Sequence, residues 1–375
     1  MFWENVGGTA RLCQENILQG FLHRSFAQSP EIPPSPAFVS YPHRREGLLT
    51  HPLLRCMVPF LNKNDSYLQV FHAPIFLPSH NASPGVRVLG FRRAVRLPPY
   101  FQTNDQLLNI LRIALLHLAP VPGHLTQNRR LIEHAITTAA RSGASWIITP
   151  ELCLCGYTFT DAIGTDWIMP QPDEWMTRVS QLAARLRVTV FLSHPERDPQ
   201  SNTLHNTVFV ITSHGTIAGA HRKINTLQTG SESWSTPGRT VAPVPVPPFS
   251  HVGILICADA FSPGIAGSLA AQGACMLVSS AAWAPGFHGP NGEWERCTQD
   301  TGLPLLVCNR TGQDRTLDFT AAESVVVKDG KRLLTLSSNR SAVFTIDWDL
   351  QGQNLATPQY QNIALKDLAE NGTDV

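Results

Sequence analysis

An unbroken apolar run, Val252 to Ile256, leaves this chain few ways to fold. No residue in it offers a polar face to water, so it reads as a strand buried on both sides, as in a sheet covered by further layers. The run stops at Cys257, and Pro263-Gly264 leads into an Ala-rich helix a few residues later. A thiol at such a strand-to-helix junction feels the partial positive charge of free backbone N–H groups, which favours thiolate. It also reads as an inert buried cysteine, because free cysteine is among the most buried residue types.

The pattern around this run is regular from about residue 109 onward. Apolar runs at 112–118, 146–149, 188–193, 206–212, 216–221, 275–279, 305–308, 324–327, 332–336 and 342–346 read as strands. Between them, 126–142 carries Leu131, Ile132, Ala135, Ile136 and Ala139 at helical spacing, and further helices fall at 175–186 and 292–301. His214-Gly215 turns one strand pair into a hairpin whose far end carries Lys223. Strand–helix alternation with hairpins interspersed predicts an α/β fold, a mixed sheet system covered by helices, in one domain over 108–350. Residues 1–107 are a different material, rich in proline and without sustained periodicity, and read as a loosely ordered extension. The polar stretch 351–375 reads as a C-terminal tail, an arm or a loose end.

Composition removes several classes of function. The formal net charge is +1, which argues against electrostatic capture of nucleic acid or an anionic membrane. No apolar run approaches the ~20 residues that span a bilayer, and the N-terminus lacks the basic-then-apolar pattern of a secretory signal. Eight scattered cysteines without a Cys-x-x-Cys pair suit a reducing compartment, hence the cytoplasm, and give no metal signature. Cys153 and Cys155 read as small apolar packing groups. Five lysines stand against twenty-four arginines, and Lys223 is the sole lysine between Lys63 and Lys328. A site that needs a compact ammonium close to a reacting oxygen would keep lysine where arginine is the habit.

Glu151, Lys223 and Cys257 each follow the end of an expected strand, where open α/β sheets collect their chemistry. Taken singly, Glu151 is a capping or surface acid and Cys257 a core thiol. Taken together, they supply a general base, an oxyanion partner and a nucleophile, the three roles that acyl transfer to a thiol requires. The backbone N–H of Ala258 is a second candidate oxyanion donor.

At this point the chain resembles the nitrilase, or carbon–nitrogen hydrolase, superfamily. The resemblance rests on Pro150-Glu151-Leu152 with Gly156-Tyr157, Asn206-Thr207 leading to Arg222-Lys223, and Ile256-Cys257-Ala258-Asp259 with Pro263. Thr236-Pro237-Gly238, Asn309-Arg310-Thr311-Gly312 and the segment from Glu323-Ser324 to Gly330 extend it over about residues 110–350. It implies a four-layer αββα sandwich and a catalytic triad of Glu151, Lys223 and Cys257. It also implies a homo-oligomer, dimer or higher, and no metal or organic cofactor. The superfamily's second glutamate falls on Glu232, and Trp283 is a candidate wall of the substrate pocket; the alternatives are a solvated loop acid and ordinary core packing. Nitrilases carry Trp-Glu after the nucleophile, whereas this chain has Ala258-Asp259, which is similar to amide-cleaving branches. The expected function is hydrolysis of a non-peptide C–N bond in a small amide or N-carbamoyl compound through a cysteine thioester. The alternatives are a nitrile hydrolase and a catalytically silent binding or scaffold relative.

Overall fold

Period-two alternation sorts the strand residues between two cores, and those cores define the layers. In β1 (Ile110–His117), Leu111, Ile113 and Leu115 face one core while Ala114 and Leu116 face the other. The pattern repeats in β2 (Trp146–Ile148), β3 (Thr189–Arg197) and β4 (Leu204–Ile211). There Trp146, Ile148, Phe191, Val208 and Val210 point one way, and Ile147, Val190, Leu192, Phe209 and Ile211 the other. The second set packs on α1 (Leu125–Arg141) and α3 (Glu174–Leu186), through Ile132, Ala135, Ile136, Ala139, Trp175, Met176, Val179 and Ala183.

The first set packs on a second sheet, in which β6 (Val252–Ile256), β7 (Met276–Ala281) and β8 (Leu305–Asn309) run parallel. Every residue of these three strands is buried. Their other face is covered by α4 (Pro263–Ala271) and α5 (Glu293–Thr301), through Ile265, Ala266, Leu269, Trp294 and Cys297. Glycine is needed at position 253, because a Cβ there would stand 2.7 Å from Leu277 Cδ2 and 3.1 Å from Leu269 Cβ. The result is the αββα sandwich expected from the sequence. The computed structural model describes residues 109–227, 230–286 and 289–365. The extension expected over 1–107 lies outside them, as does the end of the tail.

The first sheet also includes β5 (Ile217–Arg222), β13 (Ala342–Asp349) and β14 (Asn354–Ala364), in the order β14-β13-β1-β2-β3-β4-β5. The second runs β12-β11-β8-β7-β6, with β11 (Ser324–Lys328) and β12 (Lys331–Leu336) as its hairpin. A two-residue pair, β9 (Gln313–Asp314) and β10 (Leu317–Asp318), and a single-turn helix, α2 (Thr160–Ile163), complete the strands and α-helices of the described residues. The stretch after Asp349 is not loose: β14 is an antiparallel edge strand, paired with β13 from Asn354 opposite Asp349 to Ala364 opposite Ala342. Nearly all its residues are exposed, so the backbone ladder, not a buried face, holds it.

Local signals place the helices. Asp173 accepts the Met176 N–H at 2.7 Å and so caps α3, a contact that typically contributes about 1 kcal/mol. Gly143 turns left-handed just past α1, with φ at +87°. Pro263 opens α4 where its missing N–H leaves no intrahelical bond unmade. Among the described residues, no helix is long and apolar enough to cross a membrane.

Candidate active site

The parallel strands β2, β6 and β7 end at one rim, and the β4–β5 hairpin brings its open end to the same place. Thr149-Pro150 carries the chain past β2 to Glu151, whose N–H donates to Ala281 O at 3.2 Å on the other sheet. Lys223 follows β5 directly, anchored by its N–H to Asn206 O at 2.8 Å and by Gly238 N–H to its own carbonyl at 2.7 Å. Cys257 follows β6, with φ at +45°, a left-handed backbone that L-residues rarely adopt.

These residues form a polar network without water-exposed members. Lys223 Nζ donates to Glu151 Oε1 at 2.7 Å and to Glu232 Oε1 at 2.5 Å, and all three side chains are buried. Asn206 Nδ2 bridges the same two oxygens, at 2.8 Å to Glu151 and 3.1 Å to Glu232. The remaining carboxylate oxygens accept backbone N–H groups, Glu151 Oε2 from Ala282 at 3.0 Å and Glu232 Oε2 from Leu227 at 3.2 Å. The Ala282 amide also interacts with the Cys257 thiol. Ala258 is buried beside the cysteine. Trp283 is only 6% exposed, with its ring 4.9 Å from Phe261 and 5.4 Å from Trp294 and its backbone tied to the Asn309 amide. It belongs to the core between strand and helix, next in chain to the amide that meets Glu151.

Burial controls the protonation of the cluster. It raises the Glu151 carboxyl to about 7, with Glu232 adding to the rise while Lys223 and Asn206 oppose it. Burial works against the Lys223 ammonium, yet the flanking carboxylates outweigh it and keep that group charged. For Cys257, burial and the charges of Glu151 and Glu232 push the thiol well above its ordinary range, against the pull of Lys223. This corrects the expectation of a favoured thiolate. The chain leaves β6 through a five-residue 3-10 turn, Cys257–Phe261, and the charges of two carboxylates act on the sulfur. The resting thiol is therefore protonated.

The local spacing in sequence did not announce two further features. Asn206, in the polar first half of β4 between His205 and Thr207, is the bridge between the two acids. Asp259, fully buried, accepts four hydrogen bonds: Ile224 N–H at 3.0 Å, Asn225 N–H at 2.9 Å, Ile256 N–H at 3.0 Å and His221 Nε2 at 2.8 Å. Burial alone would raise this carboxyl; those bonds, led by His221, hold it below the ordinary carboxylate range. Cys153 and Cys155 are fully buried in apolar clusters, as expected of packing residues. Among the described residues, no group of three or more His, Cys, Asp or Glu is placed to hold a metal ion.

Comparison with known proteins adds a family to this geometry. Residues 112–354 match the sequence profile of the carbon-nitrogen hydrolase family. The chain is similar to a probable nitrilase of Schizosaccharomyces pombe, 27% identical over 63% of this chain and 89% of that protein. It is also similar to the N-carbamoylputrescine amidase of Solanum lycopersicum, 28% identical over 60% of this chain and 82% of that one. Among solved structures, Saccharomyces cerevisiae Nit3, a member of branch 10 of the nitrilase superfamily, superposes with a TM-score of 0.58 at 19% identity. That match covers 65% of this chain and 91% of Nit3, and it concerns the fold.

Proposed function

This chain belongs to the carbon-nitrogen hydrolase family, and from that premise we propose that it hydrolyses the non-peptide C–N bond of a small amide or N-carbamoyl compound through a thioester on Cys257. The observation that carries this reading is the buried Glu151–Lys223–Glu232–Asn206 network beside the Cys257 thiol. The similarity to an N-carbamoylputrescine amidase supports the substrate class.

Glu151 takes the thiol proton as the sulfur attacks the carbonyl carbon. The resulting oxyanion is bound by the Lys223 ammonium and the Ala258 N–H. Protonated Glu151 then gives its proton to the departing nitrogen, the C–N bond breaks, and ammonia or an amine leaves. A water, deprotonated by the same carboxylate, attacks the thioester and releases the acid and the thiol. Glu232, hydrogen-bonded to the Lys223 ammonium, fixes the direction of that group. The six free thiols among the described residues support residence in a reducing compartment such as the cytoplasm.

Because the base must be ionised to accept the thiol proton, kcat/KM is expected to rise with pH through about 7 and then level, following Glu151. Glu151→Gln should lower kcat by about 10²–10⁴-fold and remove this acid limb. A pH profile of both proteins checks it; an unchanged limb in the variant would assign the ionisation elsewhere. The substrate class is tested by assaying ammonia release from a panel of aliphatic amides, N-carbamoyl amines and the matching nitriles. Turnover of amides or carbamoyl compounds is expected. Turnover of nitriles alone, or of nothing together with an inert Cys257, would reject the reading in favour of a nitrile hydrolase or a silent relative.

A further inference from the structure

The proposed nucleophile and the proposed oxyanion partner lie on different sheets. Cys257 directly follows β6 of the second sheet, and Lys223 directly follows β5 of the first. Their separation is therefore not set by either hydrogen-bonded ladder, and something must register one sheet against the other at this rim.

Asp259 does so. One of its oxygens, Oδ1, accepts the N–H groups of Ile224 and Asn225, the two residues after Lys223. The other, Oδ2, accepts the Ile256 N–H, the residue before Cys257, and the ring of His221, two residues before Lys223. An ionised carboxylate only accepts, so His221 donates from Nε2. Its Nδ1 is buried without a partner among the described residues. Asn225 closes the bridge from the other side, with Nδ2 on Ala258 O at 3.0 Å and Ser262 Oγ at 2.8 Å. Each chain segment flanking the ammonium is thus bonded to a segment flanking the sulfur.

Resting on the reading above, we infer that His221, Asp259 and Asn225 are positioning residues that staple the two sheets and hold Lys223 at the distance from Cys257 where the oxyanion forms. The staple acts on the tetrahedral state and not on substrate binding. Loosening it costs kcat and leaves KM near its original value, because the lysine's contact with the oxygen is made as charge develops.

The variants His221→Leu, His221→Gln and Asn225→Ala separate this role from simple structural support. Glutamine restores an N–H donor toward Asp259, whereas leucine fills the space without one. We expect H221L to lower kcat by roughly 100-fold, N225A by roughly 10-fold and H221Q by no more than a few-fold, as for misplacement of a catalytic group by a fraction of an ångström to about 1 Å. The discriminating readout is the ratio of two reactions at the same sulfur. Acyl transfer from the best amide of the panel makes an oxyanion; alkylation by iodoacetamide, a displacement at carbon, makes none. The staple predicts a fall in acylation several-fold larger than any fall in alkylation, which feels Lys223 only through its pull on the thiol. Equal falls in both rates would assign these residues to structural support alone, and unchanged acylation in H221L and N225A would remove the role altogether. If H221L does not fold, N225A and H221Q decide between the same outcomes. A wild-type protein that alkylates but acylates from no amide would instead overturn the reading of the reaction.

Discussion

Replacing Cys257 by alanine is expected to abolish turnover, a loss on the order of 10⁵–10⁶-fold in kcat as for other covalent nucleophiles, while the fold survives. The reason for survival is local. The Ala282 N–H that meets the thiol also donates to Glu151 Oε2 at 3.0 Å, so deleting the sulfur leaves no buried donor without a partner. Alanine keeps the same Cβ at φ of +45°, and no new backbone strain arises. The melting temperature should stay within about 5 °C of the original, a shift that corresponds to about 2 kcal/mol in a domain of this size. Measuring amide turnover beside a thermal melt checks both halves. Residual hydrolysis near the original rate would remove Cys257 from the chemistry.

Lys223→Met should be damaging in two ways, and pH separates them. Methionine retains an apolar stem but removes the one ammonium between Glu151 and Glu232, whose nearer oxygens also share the Asn206 amide. Loss of an oxyanion donor costs about 10²–10³-fold in kcat. Breaking a buried ion pair costs about 3–5 kcal/mol when the remaining charge stays ionised. Here the protein has an escape, since a buried carboxylate takes up a proton. Glu151 is already raised to about 7, above its value in an unfolded chain, and loss of Lys223 removes the largest opposing pull. A group whose folded pKa lies above its unfolded pKa binds more protons when folded, so its stability contribution is present at low pH and lost as pH rises. The variant should therefore be closer to the parent at pH 5.5 than at pH 8. Urea titrations at both values test this; a penalty equal at the two would show that Lys223 does not neutralise these acids.

Much of the fold is readable from residue 110 onward because buried strands and amphipathic helices differ in period. Val252–Ile256, Met276–Ala281 and Leu305–Asn309 are buried on both faces and mostly apolar since each is covered twice. β14 escapes such a reading for the complementary reason: an exposed edge strand has no buried face to impose alternation on polar residues. The candidate site is legible where its groups follow strand ends, as for Glu151, Lys223 and Cys257, which the fold brings into one buried cluster. It is not legible where a side chain acts across sheets. Nothing in the row Ala-His-Arg-Lys marks His221 as the partner of Asp259, 38 positions away. The protonated state of the thiol is hidden for a related reason, because strand order alone does not reveal that two carboxylates converge on the sulfur.

Turnover by this route requires a covalent intermediate at one sulfur. Mixing the wild-type protein with its best amide, quenching in acid within the first turnovers and mapping the peptides by mass tests this directly. The predicted result is a gain equal to the substrate's acyl group on the peptide containing Cys257, absent from the alanine variant. Steady release of amine with Cys257 unmodified, or an adduct carried by any other residue, would contradict it.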